Sequence, residues 1–156
     1  MSNSVYLAAP FFSDLQVERM RKVEELLKQN PTINENEIFV PMDNQYSEKK
    51  FGSFEWQVGV FESDVRQVRK SDVVVAILDY VKDGEEVVSD PGTVFEIGTA
   101  FEHGTPVILV QFDDTDKINL MLARSHAAFF HGKDIENLKS YDFNTLPPKY
   151  SDLTVF

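Results

Sequence analysis

The chain of 156 residues carries 26 acidic against 15 basic side chains, a formal charge of −11, and 42% apolar residues. That acidity disfavours a protein that tracks a nucleic-acid polymer, since such binders display a basic patch, and the apolar share supports one folded domain over residues 1–156. Without cysteine there is no disulfide framework, thiol nucleophile or thiolate metal site, and His103, His126 and His131 lack metal-ligand spacing, so no metal site is expected; no organic cofactor is expected either.

Residues 5–9 (Val-Tyr-Leu-Ala-Ala) form a short buried strand ended by Pro10. No basic leader precedes it and no apolar run reaches membrane-spanning length, so a soluble, cytoplasmic protein without membrane contact is expected. Phe11 and Phe12 follow. Ser13-x-x-Gln16 then has the pattern of a capping box, opening a helix to about residue 29 with Val17, Met20, Val23 and Leu27 on one face. Asn30-Pro31 stops that helix. Residues 37–40 read as a strand that leads into the loop Pro41-Met-Asp-Asn-Gln-Tyr46, and residues 47–53 read as exposed loop.

A second helix is predicted over residues 54–70, with Val58, Phe61, Val65 and Val68 as its apolar stripe. Asp64 stands on the shoulder of that stripe. It has no Lys or Arg three or four residues away, so it is either solvated or in need of a partner elsewhere. Residues 72–79 are the most β-branched run and fit a central strand, followed by an acidic loop over 80–89. Beyond a third helix come a strand at 106–112, a loop at 113–117, a short helix near 119–124 and a strand at 127–131. A helical turn or two at 134–139 and a tail containing Pro147-Pro148 complete the chain.

The third helix lies within residues 89–104, where Asp90-Pro91-Gly92-Thr93 carries helix-start chemistry. Val94, Ile97, Gly98 and Phe101 recur at helical spacing, which predicts one face against a sheet. Glu96 lies off that stripe between Phe95 and Ile97. A carboxylate among apolar neighbours near a helix start is a catalytic candidate. Thr93-x-x-Glu96 equally fits a capping box, which needs no function.

Alternating strands and helices imply an α/β fold. A flavodoxin-like, doubly wound sheet of five parallel strands in the order 2-1-3-4-5 is expected, with helices on both faces. Ligands of such sheets bind beyond the carboxyl ends of the strands at the switch point. That point gathers residues 8–10, Asp79 and the start of the Glu96 helix, with Gln45 nearby. Carboxylates (Asp64, Asp90, Glu96), amides (Asn44, Gln45, Asn119) and aromatics (Tyr6, Phe11, Phe12) surround it, without a Gly-rich phosphate cradle or a Ser–His pair. Two acids in an aromatic pocket suit cleavage at an anomeric carbon, one as anion and the other as proton donor.

Residues 5–12 (Val-Tyr-Leu-Ala-Ala-Pro-Phe-Phe), 40–46 (Val-Pro-Met-Asp-Asn-Gln-Tyr), Ser63-Asp64, 90–98 (Asp-Pro-Gly-Thr-Val-Phe-Glu-Ile-Gly) and 118–121 (Ile-Asn-Leu-Met) together resemble the nucleoside 2-deoxyribosyltransferases, over nearly the whole chain and in the right order. The resemblance implies exchange of the base of a 2′-deoxynucleoside, with retention, through a covalent deoxyribosyl-enzyme intermediate in nucleoside salvage. It implies Glu96 as nucleophile, Asp64 as the group that assists protonation of the base, and Asp90 as a holder of sugar hydroxyls. Gln45 is then a base-contacting amide and Tyr6 a neighbour of the nucleophile, with Phe11 and Phe12 helping to close the site.

By the same resemblance Asn119 reaches the sugar of a neighbouring subunit, so a homo-oligomer, a hexamer in this family, is expected. Substrates are 2′-deoxynucleosides and free purine or pyrimidine bases. One departure is the terminus. The family often ends in an active-site tyrosine, whereas Phe156 keeps the ring and loses the hydroxyl. The alternatives are an N-glycosidase of deoxynucleoside 5′-monophosphates, which needs a phosphate site, and a non-catalytic flavodoxin-like nucleotide-binding module.

Overall fold

The computed structural model describes residues 2–78, 80–83 and 86–156. Its centre is a five-stranded parallel sheet of β1 (Asn3–Ala8), β2 (Ile33–Phe39), β3 (Val73–Ile77), β6 (Val107–Gln111) and β8 (Ala128–His131). The spatial order is β2-β1-β3-β6-β8. Counted along the sheet-forming strands this is 2-1-3-4-5, the expected doubly wound order. β3 and β6 are buried at every residue, as strands covered on both faces must be.

Alternation along β1 divides the core. Val5 and Leu7 face α1 (Asp14–Lys28), while Tyr6 and Ala8 face α2 (Phe54–Lys70) and α3 (Pro91–His103). The first layer also takes the 3₁₀ segment Gly132–Lys139 through Ile135 and Leu138. The second includes α4 (Leu120–Arg124) through Leu122 and Ala123.

Residues 80–89, read as a loop, instead form an antiparallel pair, β4 (Tyr80–Asp83) and β5 (Glu86–Ser89). The register pairs Val81 with Val88 and Lys82 with Val87. Two further short strands, β7 (Lys117–Ile118) and β9 (Thr154–Val155), pair in parallel and tie the C-terminus beside α4. Asp79, placed at the switch point by the sequence, lies outside the described residues.

The expected stripes of α2 and α3 need correction. In α2 only Val68 is buried, whereas Val58 and Phe61 are exposed. In α3 the buried positions are Thr93, Ile97 and Ala100, with Phe95 and Phe101 exposed. Both helices pack on the sheet along a narrower line than their apolar content predicts. Phe61 of α2 and Phe95 of α3 meet instead with ring centroids 5.8 Å apart, beside a cavity between the two helices.

Candidate active site

Three elements converge beyond the carboxyl ends of β1 and β3. The first is the start of α3. Its N-cap is Asp90, only 8% exposed, whose Oδ2 accepts from Thr93 N at 2.7 Å and Thr93 Oγ1 at 2.9 Å. The capping pair is therefore Asp90 with Thr93, not Thr93 with Glu96. Glu96, one turn further along, is freed from helix duty and points to β1, where the Tyr6 hydroxyl donates to its Oε1 at 2.5 Å.

The second element is α2. Trp56, Val60 and Asp64 recur at four-residue spacing, and all three line two adjoining cavities of about 430 and 410 Å³. Glu96 and Gly92 line both cavities as well. Any side chain at position 92 would meet Asp90, since a Cβ there would sit 3.2 Å from Asp90 Oδ2. The glycine thus leaves the helix start open toward the ligand space.

The third element is the rim formed by the loops after β1 and β2. Phe11, Phe12, Asn44, Gln45 and Phe51 bound the larger cavity. Ser13 caps α1 as expected, its Oγ accepting from Gln16 N, while the return bond reaches one residue further back, Gln16 Oε1 accepting from the Phe12 backbone at 2.8 Å. That bond holds the Phe11–Phe12 turn, whose rings lie 5.3 Å apart. Arg21 grips Asp43 through both guanidinium nitrogens and so anchors the loop carrying Asn44 and Gln45. Among the described residues the Gln45 amide makes only long contacts, to Pro41 O and Met42 O at 3.4 and 3.3 Å, which a ligand can replace.

The electrostatics are set by burial. Desolvation raises Glu96 to about 7, with Asp64 and Asp90 adding repulsion, against the lowering effect of the Tyr6 hydrogen bond. Asp64, half-buried and without a hydrogen-bond donor among the described residues, is raised by desolvation to about 6. Tyr6 is fully buried and held firmly protonated by burial and the charge of Glu96. The three groups therefore favour a site that holds a proton near neutrality. The donor from Tyr6 favours ionisation of Glu96 in particular.

Glu96, Asp64, Asp90, Gln45, Phe11 and Phe12 thus meet at one place. Tyr6 stands behind Glu96 rather than in the cavity wall. Among the described residues, neither Asn119 nor Phe156 lines these two cavities. Asn119 caps α4 by accepting from Met121 N at 2.9 Å, and Phe156, 69% exposed, accepts from Leu120 N. The two lie side by side in the small β7–β9 unit. Sequence reasoning missed Trp56, Val60 and Phe51, although the spacing Trp56–Val60–Asp64 marks one face of a helix.

The family model described as nucleoside 2-deoxyribosyltransferase matches residues 5–143. The chain belongs to the nucleoside 2-deoxyribosyltransferase family. It is 32% identical to the nucleoside deoxyribosyltransferase of Limosilactobacillus fermentum, over 92% of this chain and 88% of that protein. Identity to the Lactobacillus leichmannii nucleoside deoxyribosyltransferase is 29%, with 90% of each chain covered. Among solved structures, the 2-deoxyribosyltransferase of Bacillus psychrosaccharolyticus superposes with a TM-score of 0.79 at 34% identity, covering 95% of this chain and 98% of that one. A CMP N-glycosidase from Clostridium botulinum, 20% identical with a TM-score of 0.55 over 90% of this chain and 98% of that one, shares the fold alone. For a member of this transferase family, the cluster of Glu96, Tyr6, Asp64 and Asp90 is the candidate catalytic centre.

Proposed function

We propose that this transferase moves the 2-deoxyribosyl group of a 2′-deoxynucleoside to another purine or pyrimidine base through an ester on Glu96. The observation that carries the reading is the part-buried Tyr6–Glu96 hydrogen bond, whose carboxylate opens, with Asp64, onto one aromatic-rimmed cavity. The nucleoside base stacks against the rim rings while Gln45 addresses its edge, since an amide both donates and accepts. Asp90 keeps Oδ2 on its helix and offers Oδ1 to the sugar hydroxyls.

Cleavage breaks the bond from C1′ to the base nitrogen and forms the bond from C1′ to a Glu96 oxygen, with a proton passing from Asp64 to the departing base. Lacking a 2′-hydroxyl, the sugar tolerates the oxocarbenium character that ionised Glu96 stabilises. A second base, deprotonated by Asp64, reverses the step. Two inversions give net retention. Burial raises both carboxyls, Asp64 to about 6 and Glu96 to about 7, so the pair retains a proton near neutral pH. The reaction needs that proton on Asp64 with Glu96 ionised, the arrangement that the Tyr6 hydrogen bond favours.

Asn119 and Phe156, exposed and away from the Glu96 cavities, are read as the contribution of one subunit to its neighbour's site in a homo-oligomer, a hexamer by family resemblance. Such a neighbour also shields the ester from water. Phosphate recognition is disfavoured, because no Lys or Arg lines either cavity among the described residues. Nucleoside salvage in the cytoplasm is the corresponding role.

The test mixes a 2′-deoxynucleoside with a different free base and follows products by chromatography. A new deoxynucleoside with little free deoxyribose is expected, and none from Glu96→Ala. Free deoxyribose as the main product, or full exchange by Glu96→Ala, overturns the reading.

A further inference from the structure

We infer that Phe39 is a positioning residue for the transfer, its ring holding the Tyr6 phenol at hydrogen-bond distance from Glu96. The inference rests on the proposed role of Glu96. Tyr6 and Phe39 are register partners on the neighbouring parallel strands β1 and β2, so their side chains leave the same face of the sheet. Their rings stack with centroids 5.5 Å apart and planes inclined by 14°. The phenol must reach from the sheet to α3 to meet Glu96, and a small tilt of so long a side chain displaces its hydroxyl by a large fraction of a hydrogen bond.

What lies beyond Phe39 makes its ring necessary. A separate polar cavity of about 270 Å³, lined by Ser4, Asn36, Gln67 and Lys70 among others, opens against Phe39. Phe39 is therefore a partition. Tyr6, fully buried, lies on one side of it and a hydrophilic space on the other. Removing the flat ring gives the phenol room to tilt away from Glu96 on the side where Phe39 borders that polar space. Phe39 lines neither cavity at Glu96, so a substrate there does not touch it.

Tyr6 from β1, Asp64 from α2 and Asp90 at the start of α3 are the titratable groups acting on Glu96. Of these, Tyr6 alone favours the anion. A loosened phenol thus moves the acid limb of the rate profile to higher pH.

The experiment compares Phe39→Leu, Tyr6→Phe and the double variant in the exchange assay across pH. Phe39→Leu, which keeps apolar bulk and loses the flat face, should lower kcat about tenfold. Its KM should change less than twofold and its acid limb should move upward. Phe39→Tyr, which restores a flat ring, should recover most of the rate. In the Tyr6→Phe background, Phe39→Leu should cost little more, because the hydroxyl it positions is gone.

Additive losses in the double variant, or a Phe39→Leu effect confined to KM, overturn the inference. Circular dichroism checks each fold, and Phe39→Met replaces Phe39→Leu if the latter is unfolded. Glu96→Gln is run alongside: exchange by that variant sinks the nucleophile itself, whereas additivity with Glu96→Gln inactive sinks only the role of Phe39.

Discussion

Glu96 is held at a cost to the fold. Its carboxyl is raised from 4.5 to about 7, chiefly by burial. Between those values the native chain binds more protons than the unfolded one, so this residue lowers stability as pH rises through the window and exerts its full penalty above about 7. At about 1.4 kcal/mol per unit the penalty is about 3.5 kcal/mol. Glu96→Gln, which can still accept from Tyr6, should therefore melt on the order of 10 °C higher than the natural chain at pH 8. The gap should close toward pH 4.5. An equal or lower melting temperature at pH 8 would mean that the carboxylate is better solvated than its burial implies.

At the scale of elements, Asp90 shows how one side chain serves both the helix and the ligand space. Its Oδ2 is committed to Thr93, so the capping role is structural fact, whereas the proposed sugar role would fall to Oδ1. Asp90→Ser separates the two. Serine caps about as well as aspartate, so stability should hold within about 0.5 kcal/mol while KM for the deoxynucleoside rises. Unchanged KM would leave Asp90 with the cap alone.

The same helix shows what was legible beforehand. The helix over 54–70, the start of α3 and the strands of the main sheet follow from periodicity and stop signals, except that β2 begins at Ile33 rather than at residue 37, because the polar run Asn34-Glu35-Asn36 does not read as strand. Thr93-x-x-Glu96 does not form the capping box, because Asp90 three residues earlier is the stronger cap and Thr93 serves it. The pair β4–β5 was hidden by its acidic composition. Phe39 was invisible because its partner Tyr6 is distant in sequence and meets it only through strand pairing.

Across the whole molecule, the apolar side chains that α2 and α3 fail to bury argue for a larger assembly. Phe54, Phe61, Phe95 and Phe101 are 75, 56, 53 and 60% exposed, and Met121 and Phe156 stand out beside Asn119 at 74 and 69%. Clusters of uncovered rings on this scale suit contact with further copies. If Asn119 completes a neighbour's site, Asn119→Ala and Glu96→Gln are each inactive alone, yet co-expression should restore part of the exchange in mixed oligomers. Failure to complement in a confirmed hybrid, or an active monomer by light scattering, would place Asn119 outside the site.

The central claim is an ester between C1′ and Glu96, and it can be looked for directly. The enzyme is incubated with a 2′-deoxynucleoside and no acceptor base, quenched in acid, digested and mapped by mass spectrometry. The predicted result is a deoxyribosyl adduct on the peptide containing Glu96, lost when an acceptor base is added before the quench and absent from Glu96→Gln. An adduct on another residue, or one that persists in Glu96→Gln, would contradict the account.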